Sequence, residues 1–224
     1  MWQLYQFPLC PFSRKVRLLL AEKGVGYEPV RESPWARRDE FLDMNPAGQT
    51  PVMVDSDKPT APLIDSMAIC EYFEETVDKA SMINGTAGNR AEIRRLVAWF
   101  DTQFYRDITA PLLNERMLKR VVHRTAPDAS LLREAMRAAV GHLDYIDFLL
   151  DHRTWLGGAT MSLADLAAAA QISVADYLGG IDWKSHEQAK RWYVGMKSRP
   201  SFRPLLAERM EIVSPPADYE KLDL

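Results

Sequence analysis

An α/β layer followed by an all-helical half is the fold class that this 224-residue sequence predicts. Three observations carry the prediction. Residues 1–78 alternate short strand signals with helical periodicity, composition breaks over the Gly- and Asn-containing stretch 79–89, and from residue 90 the apolar spacing is almost wholly helical. The expected domains are therefore residues 1–78, a linker at 79–89, a helical domain at 90–210 and a C-terminal tail at 211–224.

In chain order, Trp2 to Phe7 reads as a strand, and Phe12 to Lys23 as an amphipathic helix ended by Gly24, with Val16, Leu19, Leu20 and Lys23 at helical spacing. Tyr27 to Val30 predicts a second strand and Arg38 to Met44 a short helix. Pro51 to Asp55 and Leu63-Ile64 predict a hairpin around Ser56-Asp57-Lys58-Pro59. Asp65 or Ser66 then caps a helix running to about Thr76.

In the helical half, Ile93, Leu96, Val97, Phe100 and Phe104 mark one apolar stripe, and Met136, Val140, Leu143, Ile146 and Leu150 another. Ser162-Leu163-Ala164-Asp165 has the form of a capping box, with Met161 placed to staple against Leu166. Ala167 to Ala170 then offers a small-residue face that another helix can approach closely. Ser214-Pro215-Pro216 stops any helix and leaves an exposed tail in which Tyr219, Leu222 and Leu224 alternate with charge, a pattern that suits a docking peptide.

Composition narrows the function classes. A net charge of -3 and the lack of a basic stripe with interleaved aromatics argue against nucleic-acid binding. No apolar run reaches membrane-spanning length and no secretory leader is evident, which points to the cytoplasm and to no membrane insertion. Two cysteines make no disulfide framework; Cys70 reads as core. His123, His142, His152 and His186 have no metal spacing and read as surface or helix-end residues, so no metal site is expected.

The segment Cys10-Pro11-Phe12-Ser13 is where chemistry concentrates. A lone cysteine is commonly an inert core residue, but this one lies where a strand turns into a helix. Free backbone donors and the positive dipole end there favour a thiolate, Pro11 suits the first turn, and Arg14 and Lys15 add positive charge nearby. Cys-Pro-x-Ser in that position compares with a dithiol motif whose second cysteine is replaced by serine. Cys10 and Ser13 are both candidates for the active atom.

With that turn, Asn45-Pro46-Ala47-Gly48-Gln49-Thr50-Pro51-Val52, Asp65-Ser66-Met67-Ala68-Ile69 and the Ser162 to Asp165 cap, almost the whole chain resembles the cytosolic glutathione transferases. The resemblance implies a thioredoxin-like N-terminal domain of βαβαββα order, an all-α bundle after it, and a homodimer. It also implies a glutathione site. Gln49, Thr50 and a cis Pro51 would meet the cysteinyl peptide, Asp65 and Ser66 the γ-glutamyl end, and Trp35 with Arg37 or Arg38 the glycyl end. Cysteine classes of the family form a mixed disulfide with glutathione, and serine classes hold its thiolate for conjugation; this sequence keeps both residues.

A narrower resemblance is to the alphaproteobacterial transferase-like division proteins, which bind filaments of the tubulin-like protein FtsZ instead of turning over a substrate. Pro34-Trp35, Arg94 to Phe100, Trp192-Tyr193, Lys197 to Leu206 and the ending Tyr219-Glu220-Lys221-Leu222-Asp223-Leu224 carry it. It implies FtsZ as a partner, engaged by the helical domain and by tail residues Tyr219, Leu222, Asp223 and Leu224.

Overall fold

A computed structural model describes residues 1–57 and 61–222. Lys58 and Pro59 of the expected hairpin turn, and Asp223 and Leu224 of the tail, lie outside the described residues. The chain divides into two compact units, Met1–Ser81 and Met82–Leu224.

In the first unit the sheet order is β2-β1-β3-β4. Strand β1 (Trp2–Gln6) is central, and helix α1 (Pro11–Lys23) carries the chain across to a parallel β2 (Glu28–Arg31), a pairing that only a crossover of this length permits. Pro29, which cannot donate to a ladder, is tolerated because β2 is an edge strand. After the short helix α2 (Asp39–Met44), β3 (Val52–Asp55) runs antiparallel to β1 with Leu4 opposite Met53, and β4 (Leu63–Ile64) extends the sheet. Helix α3 (Ser66–Thr76) packs on α1, and the two bury Val16, Leu19, Leu20, Ile69, Cys70 and Phe73.

Gly24 ends α1 in the left-handed conformation at φ 64, its N–H bonded back to the last turn. Between α1 and α3, the Lys23 ammonium meets the Glu74 carboxylate at 2.9 Å with both side chains almost fully buried.

The second unit is helical throughout, but it begins inside the stretch that composition marks as a linker. Thr86 and Asn89 form a reciprocal capping box that starts α4 (Ala87–Ala98), so the Gly-Asn run is a helix cap as much as a breaker. From α4 the chain continues as one rod through wider, π-type turns at Trp99–Thr109, the short α5 (Ala110–Leu113), and π-type turns again to His123. Pro111 sits in the middle of this rod and has no N–H to give its ladder. The expected stripe from Ile93 to Phe104 is fully buried.

Helix α6 (Ala129–Leu150) corrects the sequence reading. Its buried residues are Ala135, Ala139, His142, Leu143, Ile146 and Leu149, whereas Met136 and Val140 face solvent. Leu143 and Ile146 are buried as expected, but in the first half of the helix the contact line runs one position earlier, through Ala135 and Ala139 in place of Met136 and Val140. Helix α7 (Leu163–Tyr177) is apolar all round and buried along nearly its whole length, which makes it the centre of the unit. Helices α8 (Glu187–Lys197) and α9 (Arg203–Ala207) complete it.

Candidate functional site

The β1–α1 turn aims Cys10 outward and Ser13 inward. Cys10 occupies the N-cap position with an extended backbone, φ -80 and ψ 114, and Pro11 follows as the first helical residue. The half-buried Cys10 thiol donates toward the Thr50 carbonyl at 3.3 Å, and its Sγ accepts the Ser13 N–H at 3.5 Å. Ser13 lies three residues further on, which turns its side chain under the helix. It is fully buried, and its hydroxyl has no partner among the described residues.

Arg14 and Lys15 are fully buried as well, so the positive charge expected near the thiol lies within the unit. The Arg14 guanidinium donates to the Pro8 carbonyl at 2.8 Å and so holds the turn that presents Cys10.

Opposite the thiol, the loop from Asn45 to Thr50 is built around Asn45, which the sequence reading included in its motif but gave no role. This buried amide donates to the Gln49 carbonyl at 2.8 Å and accepts the Ala47 N–H at 3.1 Å. Gly48 turns the loop at φ 66. An Asn placed ahead of a Pro and a Gly is the available signal, since its side chain closes such loops on their own backbone. The Thr50–Pro51 peptide is cis. Thr50 is buried, and its hydroxyl, like that of Ser13, has no partner among the described residues.

Asp65 caps α3 through Oδ1, which accepts the N–H groups of Met67 at 2.7 Å and Ala68 at 3.1 Å. Its backbone adopts φ 77 and ψ 133, a conformation that non-glycine residues seldom take and that concentrates at ligand sites. The carboxylate is exposed, whereas Ser66, at the first helical position, is nearly buried.

The residues expected at the glycyl end have structural partners. Trp35 packs edge-on against Phe7 with centroids 4.9 Å apart. The Arg38 guanidinium is held by Glu32 through two nitrogens, at 2.6 and 3.2 Å, and the Glu32 carboxylate is buried. Glu32 is a residue that sequence patterning misses, because nothing local announces a buried acid at a strand end. Arg37, with φ 46, is exposed.

In the second unit, Asp165 does more than close its capping box. Its Oδ2 accepts the Ser162 N–H and hydroxyl, each at 2.9 Å, while Oδ1 accepts the Leu156 N–H at 2.9 Å and the Trp192 indole N–H at 3.0 Å. Burial pushes this carboxyl above its ordinary range even though four donors pull the other way.

Of the histidines, His142 departs from the expectation of a surface or helix-end residue, and His186 is the expected helix-end residue but is buried. His142 is buried in mid-helix between Trp99 and Phe104, with Nε2 3.3 Å from Asp107. His186, at the start of α8, is buried against Asp147 at 3.1 Å. Among the described residues no group of three or more His, Cys, Asp or Glu side chains is placed to hold a metal ion.

The tail is docked through Tyr219, while most of its other described residues are exposed. Tyr219 is buried, with its ring edge-on to Tyr177 at 5.2 Å and the Lys197 ammonium 5.7 Å over its face. Lys197 also donates to the Lys221 carbonyl at 2.9 Å. The Tyr177 hydroxyl donates to the Val213 carbonyl and accepts the Met210 N–H. Leu222 remains about half exposed. These partners lie far apart in sequence, which is why a local reading of the tail as free is wrong for Tyr219. Along one side of the docked tail, Trp183, Tyr193 and Lys190 line a cleft of about 570 Å³.

Residues 9–76 match the family described as glutathione S-transferase, N-terminal domain. The chain is 43% identical over 221 residues to FtsZ-localized protein A of Caulobacter vibrioides, covering 98% of this chain and 97% of that protein. A crystal structure of a glutathione S-transferase from Rhodospirillum rubrum superposes with a TM-score of 0.95 at 47% identity over 100% of both chains. The structure of FzlA from C. crescentus does so with a TM-score of 0.96 at 42% identity, covering 100% of this chain and 99% of that one. No helix among the described residues is long and apolar enough to cross a membrane.

Proposed function

The chain belongs to the glutathione S-transferase superfamily, and from that premise we propose that it is a cytoplasmic, homodimeric division protein that engages FtsZ filaments through its helical unit. The observation that carries this reading is the near full-length likeness to a protein named for its localisation with FtsZ, which extends well beyond the N-terminal family match. The docked tail makes Leu222, together with the surface around it, the part of the tail offered to a partner. Co-sedimentation with FtsZ filaments tests it. The protein is expected in the pellet with filaments and in the supernatant without them, and a supernatant-only result at every concentration sinks the reading. Leu222→Asp, which leaves Tyr219 seated, tests the tail separately.

The N-terminal geometry favours a second activity in the same molecule, glutathione binding with Cys10 as the reacting atom. Cys10 Sγ, the Thr50 backbone and the Asp65-Ser66 helix start are carried by one unit, and Ser13 is buried beneath the thiol. The Thr50 carbonyl has a second lone pair for a peptide N–H, and the α3 N-terminus suits the γ-glutamyl carboxylate.

In thiol transfer the Cys10 thiolate attacks the glutathione sulfur of a mixed disulfide and releases the substrate thiolate, which takes a proton. A second glutathione thiolate then attacks the Cys10–glutathione disulfide, regenerating the Cys10 thiolate and forming glutathione disulfide. Calorimetric titration is expected to show glutathione binding that Ser66→Ala weakens, and turnover that Cys10→Ala abolishes while Ser13→Ala retains it. Absence of heat with wild-type protein removes this reading and leaves the first intact.

A further inference from the structure

The cleft beside the docked tail takes no part in either activity proposed above. Its volume of about 570 Å³ falls within the range of pockets that take small molecules. Its walls are one face of α8, the connection from Ile181 to Lys184, and the tail from Pro216 to Lys221. An aromatic pair lines it: the Trp183 and Tyr193 rings lie 5.1 Å apart and within 14° of parallel. Tyr193 is buried, whereas Trp183 is half-buried and stacks on no second ring among the described residues, so its indole keeps a face for a flat molecule in the cleft.

Charge of both signs is uncommitted there. Lys184, Glu187 and Lys190 line the cleft, and their side chains make no hydrogen bond or ion pair among the described residues. Glu187 and Lys190 are neighbours on one face of α8, three residues apart, yet they do not pair. Lys197 is committed already. Its ammonium lies 5.5 Å over the Tyr193 ring and 5.7 Å over the Tyr219 ring and donates to the Lys221 carbonyl at 2.9 Å, so a second cation finds those ring faces taken.

We propose that this cleft binds a nucleoside monophosphate. The base stacks on Trp183, Lys184 and Lys190 meet the phosphate, and the Glu187 carboxylate accepts the ribose hydroxyls. Each free group gains the partner that its chemistry lacks. Simpler ligands leave one of them unmatched: an aromatic acid sets an anion against Glu187 with nothing to donate to it, a sugar phosphate leaves the indole bare, and an amine adds positive charge beside Lys184 and Lys190.

Calorimetric titration of the full chain with AMP and GMP tests the site, with adenosine and ribose 5-phosphate as ligands that each lack one part. At least one nucleotide is expected to bind about tenfold more tightly than either part. Lys190→Ala and Glu187→Ala, which have no partner within the chain to lose, are each expected to weaken that binding by about tenfold. Trp183→Leu is expected to weaken it as well and to remove the quenching of tryptophan fluorescence that the stacked base causes. Unchanged circular dichroism of the variants excludes misfolding as the cause. No heat with either nucleotide, affinity for ribose 5-phosphate or adenosine equal to that for the nucleotide, or binding that the three variants retain overturns the proposal.

Discussion

Replacing Asp165 with alanine removes one small side chain and strands three donors. The Leu156 and Ser162 N–H groups and the Trp192 indole N–H all end on this carboxylate, in a region closed to water. A buried donor left unsatisfied costs about 1–3 kcal/mol, and loss of an N-terminal cap about 1 more. The losses share one site and are not additive, so Asp165→Ala is expected to destabilise the protein by about 4 kcal/mol. Ser162→Ala removes only a hydroxyl that donates to Asp165, and Trp192→Phe only an indole N–H, so each is expected to cost about 1 kcal/mol. Urea unfolding followed by circular dichroism gives all three values, provided the slope with denaturant is unchanged. If Asp165→Ala cost no more than Ser162→Ala, the carboxylate would be acting as a cap alone, and the account of a hub joining α7, α8 and the turn at Leu156 would be wrong.

Tyr219→Ala is expected to release the tail: the chain after Met210 becomes rapidly cleaved in limited trypsinolysis, with an overall cost of about 3 kcal/mol for the emptied ring site. Arg38→Ala leaves the buried Glu32 carboxylate without its cation and is expected to lower the melting temperature, whereas Arg38→Ala with Glu32→Gln recovers most of the loss. The pH dependence of stability should carry a signature of His142. Burial among Trp99 and Phe104 holds its imidazolium below the ordinary histidine range, against the pull of Asp107. Between that lowered value and about 6.5 the unfolded chain takes up a proton that the folded chain does not. Stability is thus full above that window and falls as pH drops through it, and urea midpoints measured across it should lose this slope in His142→Gln.

The order of elements was legible because hydrophobic periodicity and caps are local signals. The β1–α1 turn, the hairpin strands, the Asp65 cap and the Ser162–Asp165 box all appear where neighbouring residues announce them. What stayed hidden depends on partners distant in sequence. Nothing near Tyr219 signals Tyr177, nothing near Arg38 signals that Glu32 is buried, and the first half of α6 turns Ala135 and Ala139 inward instead of Met136 and Val140. The Thr86–Asn89 cap was obscured by the glycines beside it, since the residues that break a helix also supply its first turn.

The same distinction separates the two atoms of the opening motif by exposure. By sequence, Cys10 and Ser13 are equivalent candidates; by helix geometry they are not. The N-cap residue stands outside the helix with its side chain at the rim, while the residue three positions later is already within the first turn and here faces the interior. A serine so placed can support the cap but cannot meet a solvent-borne electrophile. The chemistry proposed for this turn is that of a thiol, and its groups all lie in residues 1–81, whereas the docked tail lies in residues 82–224. Because the two sets share no residue, each can be lost while the other persists, so the presence of Cys10 argues for thiol chemistry without arguing against a filament partner.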